Sequence, residues 1–221
     1  MKEKKIRKAY YPKTKERHQE YCTRYPDAIL CSEPQEETVP WTILPNVPAQ
    51  KDEYALNNEP FCGILSITEL SSKSPADFLT QATTFCNDHI WGTLSCNIII
   101  DSKTAKSCAD TLEQCIADLR YGTIAINAWN GVSYSLCTTT WGAHPGHTLE
   151  DIRSGIGIMH NALLLDHPCK SVLRGPFTVA PTPAWMYNNR NLVKLGQKLV
   201  AFEFKPSWLR MVGVIVQAIR G

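Results

Sequence analysis

The sequence of 221 residues contains no long hydrophobic run. No stretch approaches the roughly 18 consecutive apolar residues that a membrane-spanning helix needs. The basic first residues are not followed by the apolar segment of a secretory signal peptide. These two absences predict a cytoplasmic protein without a transmembrane span.

Glycine-rich phosphate-binding motifs are also missing. The 12 glycines form neither the dinucleotide-binding fingerprint nor a P-loop. The one glycine-dense segment, Ser154-Gly155-Ile156-Gly157, follows a predicted helix instead of joining a strand to a helix. We therefore expect this chain to contain no Rossmann-type nucleotide site of its own.

Excess charge of one sign is absent from the body of the chain. The formal net charge is +2, and the first 17 residues hold eight Lys or Arg against two acidic residues. The remaining residues are therefore slightly acidic, whereas a nucleic-acid-binding protein carries its basic residues along one folded face. The sequence predicts no nucleic-acid partner and a solvated basic N-terminus.

Cysteine, in contrast, is abundant, with nine residues. Without a signal peptide they are expected to be reduced thiols in a cytosol, and four disulfides with one leftover thiol is the alternative. A nucleophilic cysteine needs a stabilised thiolate. Cys108 and Cys115 lie on the apolar face of a predicted helix and are expected in the core. Cys62, Cys137 and Cys169 remain candidates, although none has a recognisable nucleophile signature around it.

The histidines offer a weak metal-binding pattern in His144-Pro-Gly-His147. A zinc site needs three or four ligands, and His160, His167 and Cys169 are the nearest further candidates. The glycine and prolines explain this segment equally well as a tight loop, so we predict no metal site.

The chain falls into three regions. Residues 1–50 are punctuated by six prolines and are expected to form an irregular arm, with one short helix between about Thr14 and Tyr25. Residues 51–190 form the main α/β portion. Residues 191–221 hold an apolar segment and then a helix after Pro206, expected to dock on the protein or on a partner, with a membrane surface as the alternative.

The order of elements within the central region predicts a parallel sheet. Strands are expected within residues 61–70, 94–100 and 122–127, with helices as the crossovers between them. Ser74 is the expected N-cap of the first helix, ahead of Pro75. The second helix has apolar residues on one face, at Ala105, Cys108, Ala109, Leu112, Cys115, Ile116 and Leu119. A further capped helix is predicted near 148–151.

Four short motifs follow one another along this β-α-β-α-β frame, over about residues 52–165. They are Glu59-Pro-Phe61, then Phe85-Cys-Asn87 with Trp91-Gly-Thr-Leu94, then Gly122-Thr-Ile-Ala-Ile-Asn127, then Trp141-Gly142 with Ser154-Gly-Ile-Gly157. In this order they resemble the C-terminal part of the aldehyde dehydrogenase catalytic domain, whose Glu-x-Phe segment is matched by Glu59-Pro-Phe61.

This resemblance implies NAD(P)-dependent oxidation of an aldehyde. In the family the glutamate of the first motif hydrogen-bonds the nicotinamide ribose, and the aromatic residue two positions later packs near the nicotinamide. Glu59 and Phe61 inherit these cofactor-binding roles, with NAD or NADP as the implied cofactor. A carboxylate accepts well from a diol, and a ring face shields a reactive pyridine.

In the family the nucleophilic cysteine, the general-base glutamate and the nucleotide-binding fold precede the Glu-x-Phe segment. Residues 1–58 hold no matching motif, and neither Cys22 nor Cys31 lies in one. We therefore expect a truncated or split portion without catalytic residues, completed by an upstream-encoded half or acting as a homo- or hetero-oligomer. The alternatives are a non-catalytic assembly protein built on half of the fold, and a separate enzyme using Cys137 near His144.

Overall fold

The computed structural model describes residues 8–33, 37–180, 183, 186 and 191–220. The fold is mixed α/β, and its internal contacts divide it into two compact units, residues 1–175 and 176–221. Parts of the predicted arm lie outside the described residues, including residues 1–7 with four of the eight basic residues of the N-terminus.

The regular elements follow in chain order. The helices are α1 (Thr14–Arg24), α2 (Tyr54–Asn57), α3 (Pro75–His89), α4 (Ser102–Ser107), α5 (Ala109–Asp118), α6 (Gly131–Leu136), α7 (Leu192–Phe204) and α8 (Trp208–Ile219). The strands are β1 (Ile29–Leu30), β2 (Thr42–Leu44), β3 (Ile64–Ser66), β4 (Ser95–Ile98), β5 (Thr123–Ile126), β6 (Trp141–Gly142), β7 (Ile158–Met159) and β8 (Ser171–Arg174).

The first sheet has the order β1-β2-β3 and packs with α1. Strand β1 is antiparallel to β2, whereas β2 and β3 are parallel, with Ile43 opposite Leu65. Tyr21 of α1 and Leu44 of β2 are buried together, and the Tyr21 hydroxyl donates to the Asn58 carbonyl. The predicted short helix in the arm is confirmed. The expected irregular arm also contributes two strands to this sheet.

The second sheet has the order β4-β5-β8, and both strand pairs are parallel. The predicted parallel pairing of the strands within 94–100 and 122–127 is confirmed. The central strand β5 is buried at all four of its residues. Helices α3 and α5 cover its apolar core, which includes Leu79, Leu112 and Ile124. Full burial of one such side chain is worth about 1.5–3 kcal/mol.

The predicted strand within 61–70 does not join this sheet, and that part of the prediction is wrong. Only Ile64–Ser66 are extended, and they pair with β2. The third strand of the second sheet is β8, a short segment between Pro168 and Gly175 that was not predicted. Strands of two and three residues carry too little hydrophobic alternation to show which partner they select.

The single helix predicted over 105–119 is two helices. The chain departs from helical geometry at Cys108, whose φ is −128°, and its thiol donates to the Thr104 carbonyl at 3.1 Å. Asp101 caps α4 by accepting from the amides of Lys103 and Thr104. The apolar face continues through the break, because Cys108, Leu112 and Cys115 all remain buried.

The capped helix predicted near 148–151 is absent, although its cap forms. The Asp151 amide donates to the Thr148 hydroxyl at 3.2 Å, as an N-cap would require. Arg153, Gly155 and Gly157 then all have positive φ, which ends the helical turn. The glycines supply left-handed backbone immediately after the cap, so the segment becomes a loop.

The unit of residues 176–221 contains an antiparallel pair of helices. The helix predicted after Pro206 is confirmed as α8, and the Ser207 hydroxyl caps it by accepting from the Arg210 amide. The Arg210 guanidinium donates to the Ala201 carbonyl at the end of α7, and Asn191 donates to Gln217. Among the described residues, no helix is both long and apolar enough to cross a membrane.

The cap of α3 can be tested by substitution. Ser74 accepts from the Asp77 amide at 3.2 Å, and Asp77 accepts in turn from the Lys73 amide at 2.8 Å. Because Ser74→Ala leaves an amide donor without this partner, it should lower the free energy of unfolding by about 1 kcal/mol in chemical denaturation. Ser72→Ala is the matched control, since Ser72 is exposed nearby. Equal effects of the two substitutions would contradict the cap.

Candidate functional site

The segment Glu59-Pro60-Phe61 lies immediately before β3 and faces outward from the first sheet. Glu59 is exposed, and within the part of the chain that the structure describes its carboxylate makes no hydrogen bond or ion pair. The Arg17 Nε atom donates to the Pro60 carbonyl at 3.1 Å, which fixes the segment against α1. The sequence resemblance therefore selected a carboxylate that is available to an incoming donor.

Phe61 follows in a left-handed backbone conformation, with φ of 49°. This conformation turns the chain sharply between Pro60 and β3 and leaves the ring 49% exposed. Tyr11 contacts the ring edge-on, with centroids 5.4 Å apart, and the Arg17 guanidinium lies 5.4 Å from the ring centroid. The aromatic side chain is thus held by two neighbours while half of it still meets solvent.

A small cavity of about 300 Å³ opens beside Phe61. Its walls include Tyr11, Trp41 and Gly63. Gly63 has no room for a side chain, because an added Cβ would lie 2.3 Å from the Trp41 ring. Cavities that bind small molecules start at about this volume, so the space suits one end of a dinucleotide.

The residues present fit the nicotinamide end of the cofactor that the resemblance implies. Glu59 offers unengaged carboxylate oxygens, which can accept from a ribose diol. Phe61 offers an exposed part of an aromatic ring next to a cavity. The phosphates of a dinucleotide have no glycine-rich cradle among the described residues, so the fit is confined to the nicotinamide riboside.

The later motifs converge in space although they are far apart in sequence. The Thr93 amide, in the Trp91–Leu94 segment, donates to the Ser154 hydroxyl at 2.9 Å. Asn127 closes the strand motif by bonding both the amide and the carbonyl of Ile100. Asn87 accepts from the Arg120 amide at 2.7 Å and donates to the Asp118 carbonyl. Each of these polar motif residues therefore joins two segments that are distant in the sequence.

Glycines allow the closest backbone contacts between the matched segments. A Cβ added at Gly122 would lie 1.8 Å from the Gly142 carbonyl oxygen, and one added at Gly142 would lie 2.6 Å from the Gly157 carbonyl oxygen. The third and fourth matched segments therefore meet through backbone that only glycine permits. The Trp91 amide also donates to the Leu56 carbonyl at 3.1 Å, which joins this cluster to the chain just before Glu59.

None of the candidate cysteines Cys22, Cys62 and Cys137 has the surroundings of an activated nucleophile. All nine cysteines are described and all have free thiols, as expected for reduced cysteines. Cys137 is exposed, and its thiol contacts the Tyr134 and Ser135 carbonyls, with no hydrogen bond to His144. Burial raises the pKa of the Cys22 and Cys62 thiols, which disfavours their thiolate forms.

His18 does not activate Cys22. The sulfur lies 3.8 Å from both ring nitrogens, so neither nitrogen points at it, and Nε2 is 2.7 Å from the Thr42 hydroxyl. Burial lowers the pKa of His18 below its usual value and favours the neutral ring.

The histidine segment 144–147 is held by polar contacts within the protein. His144 Nδ1 lies 3.0 Å from the Pro145 carbonyl, and His147 Nε2 lies 2.7 Å from the Thr93 hydroxyl. Burial lowers the pKa of His144. The described residues include no group of three or more His, Cys, Asp or Glu side chains placed to hold a metal ion.

Sequence reasoning missed the neighbours that define the surroundings of Phe61. Tyr11, Arg17 and Trp41 come from the proline-punctuated arm, which was expected to be irregular. The helical spacing over residues 14–25 predicted the helix that carries Arg17, although not the contact of Arg17 with Phe61. Nothing local indicated that Trp41, just before β2, would pack against Gly63, just before β3.

The glycine contact between matched segments gives a direct test. Gly122→Ala would force the new Cβ against the Gly142 carbonyl, and backbone cannot move aside without disturbing β5 and β6. We expect a loss of about 3 kcal/mol in the free energy of unfolding, measured by urea denaturation. Gly92→Ala is the control, because its nearest neighbour is the Ser154 Oγ at 3.7 Å. Similar stability of the two variants would show that the close approach is not required.

The comparisons with known proteins found similarity among solved structures. No family model matches this sequence, and no curated protein sequence matches it. Among solved structures, the chain is similar to a mutant aldehyde dehydrogenase from Bacillus cereus, with a TM-score of 0.40 and 16% sequence identity. The similarity covers 69% of this chain and 26% of that enzyme, so this chain spans about a quarter of its length.

Proposed function

We propose that this chain is an aldehyde-dehydrogenase-like protein that supplies the nicotinamide end of an NAD(P) site. The observation that carries the proposal is the free, exposed Glu59 carboxylate two residues before a half-exposed Phe61, beside a cavity of about 300 Å³. The convergence of the three later matched segments supports it, because they meet through contacts that their glycines and polar residues make possible.

The residues have separate tasks in such a site. Glu59 accepts hydrogen bonds from the ribose hydroxyls and thereby fixes the sugar. Phe61 covers one side of the nicotinamide ring and excludes water from it, while Arg17 and Tyr11 hold the Phe61 ring in place. The bound cofactor supplies a hydride acceptor for aldehyde oxidation.

The chemical step itself needs groups that the described residues do not bring together. An aldehyde dehydrogenase reaction uses a thiolate nucleophile and a general base. No described cysteine is hydrogen-bonded to a base in a way that would activate it, and no described segment forms a phosphate cradle. We propose that other polypeptide supplies the nucleophile, the base and the nucleotide fold.

Binding of nicotinamide mononucleotide tests the site without requiring turnover. Trp41 lines the cavity, so ligand entry should change tryptophan fluorescence. We expect nicotinamide mononucleotide and NAD to bind weakly, AMP not to bind, and Glu59→Gln to weaken binding by about tenfold. This loss corresponds to a charge-assisted hydrogen bond.

Glu69→Gln is the control. Glu69 is also an exposed carboxylate, but it follows β3 in the chain, whereas Glu59 precedes β3. Circular dichroism establishes that each variant is folded. The proposal fails if the folded chain does not bind nicotinamide mononucleotide, or if both substitutions weaken binding equally.

A second candidate function is a non-catalytic assembly protein, and the α7–α8 helix pair favours it. Trp208, Val212, Ile215 and Ile219 recur every three to four residues along α8, and all four are exposed. Val193 and Val200 are exposed on α7. A two-helix unit that leaves this much apolar surface in water requires a covering partner.

Sizing experiments with light scattering test assembly. We expect the purified chain to run as an oligomer through this α8 face, and Ile215→Glu to shift it toward the monomer because a buried charge opposes association. Gln217→Glu is the control on the same helix, since Gln217 bonds Asn191 and lies off the face. A monomeric wild-type chain would count against assembly through copies of itself.

A further inference from the structure

Two cysteines outside the Glu59 site lie next to each other. Cys86 belongs to α3 and Cys96 belongs to β4, and both side chains pack against the core of the second sheet. Their thiols lie close enough to interact, and each shifts the pKa of the other. Neither is fully buried, so this is a thiol pair with access to solvent.

A groove of about 660 Å³ leads to the pair. Its walls are largely apolar and include Phe78, Leu79, Ile98 and Ile100, while Lys73 and Ser74 lie at one end. Both cysteines line it. A small, uncharged oxidant such as a peroxide can therefore reach the sulfur atoms without unfolding of the chain.

The two thiols are not equivalent. The hydrogen bond from the Cys96 thiol lowers the pKa of Cys86, whereas the same contact and burial raise the pKa of Cys96. The negative charge of a thiolate is therefore placed on Cys86, and Cys96 keeps its proton. Reactivity toward peroxides follows thiolate character and access. Cys86 is the expected attacking sulfur and Cys96 the resolving one.

We infer that Cys86 and Cys96 form a reversible redox pair that a hydroperoxide converts to a disulfide between α3 and β4. The Cys86 sulfur attacks one peroxide oxygen, the O–O bond breaks, and one molecule of water or alcohol leaves after protonation. The Cys96 sulfur then attacks the Cys86 sulfenic acid, an S–S bond forms, and a second water leaves with the Cys96 proton. Two thiols lose two electrons, and the peroxide gains them.

Four of the other seven cysteines lack one of the two properties that this pair combines. Cys108 and Cys115 are buried in the core, so they are closed to an oxidant. Cys137 and Cys169 are exposed, but neither is hydrogen-bonded to a second thiol. Oxidation of an exposed single cysteine stops at a sulfenic acid unless another thiol reaches it, whereas Cys86 has its resolving partner in place.

The test is treatment of the reduced full chain with a small excess of hydrogen peroxide, followed by alkylation and peptide mass mapping. We expect one intramolecular disulfide joining the Cys86 and Cys96 peptides, with loss of two hydrogens and reversal by dithiothreitol. In Cys96→Ser, dimedone should trap a sulfenic acid on Cys86. In Cys86→Ser, oxidation at Cys96 should slow by about tenfold or more relative to Cys86 in Cys96→Ser.

Cys137→Ser is the control and should leave the disulfide and its rate unchanged. If Cys86→Ser does not fold, the other two experiments still test the inference. Peptide mapping of the wild-type chain identifies the disulfide, and trapping in Cys96→Ser identifies the attacking sulfur. A disulfide between other cysteines, no disulfide at peroxide levels that oxidise Cys137, or trapping on Cys96 instead of Cys86 would each overturn the inference.

Discussion

The close contact of Gly122, Gly142 and Gly157 governs how the second half of the fold is arranged. Strand β5 starts directly after Gly122, and β6 and β7 pair through Gly142. A side chain at Gly122 would meet backbone at 1.8 Å, so the loop carrying β6 approaches the start of β5 only because no Cβ is present. That approach also brings the 154–157 loop to Thr93, which precedes β4. The parallel sheet and the loops of the matched motifs therefore depend on one backbone contact.

The strands and helices that could be predicted are those whose own residues determine their burial. β5 is apolar throughout and central, and α3 and α5 carry apolar faces over several turns, so their local patterns match their environment. β8 has one buried residue in four, and β1 to β3 have two or three residues each. Their places are set by pairing with distant segments, which a local pattern does not contain. The loop after Thr148 also shows that a local pattern is not sufficient. The Thr148 cap forms as predicted, but the positive φ values at Arg153, Gly155 and Gly157 prevent a helix from following it.

The candidate site also has a part that could be predicted from local sequence and a part that depends on distant segments. Glu59 and Phe61 could be selected because their motif is contiguous, and the structure gives them an exposed carboxylate and a half-exposed ring. Their surroundings come from Tyr11, Arg17 and Trp41, which lie earlier in the chain, in or just before α1 and just before β2. Helical spacing indicated α1, but no local pattern indicated that Arg17 would pack on Phe61. The polar residues of the later motifs connect segments that are distant in the sequence. Asn87, Asn127 and Ser154 each hydrogen-bond backbone groups elsewhere in the fold.

Helix α3 connects the two sheets along the chain, since it follows β3 and precedes β4. Its beginning is fixed by a local cap between Ser74 and Asp77, whereas its last turns are held by Asn87, by the Tyr121 hydroxyl on the Cys86 carbonyl, and by packing on the core. A disulfide from Cys86 to Cys96 would add a covalent bond where α3 already contacts its own sheet. The beginning of the helix would remain held by its cap and by the packing of Ala76 and Leu79 on the core. Oxidation would therefore strengthen the attachment of the last turns of α3 to the second sheet, while the Glu59 segment stays joined to α1 through the Arg17 contact with the Pro60 carbonyl.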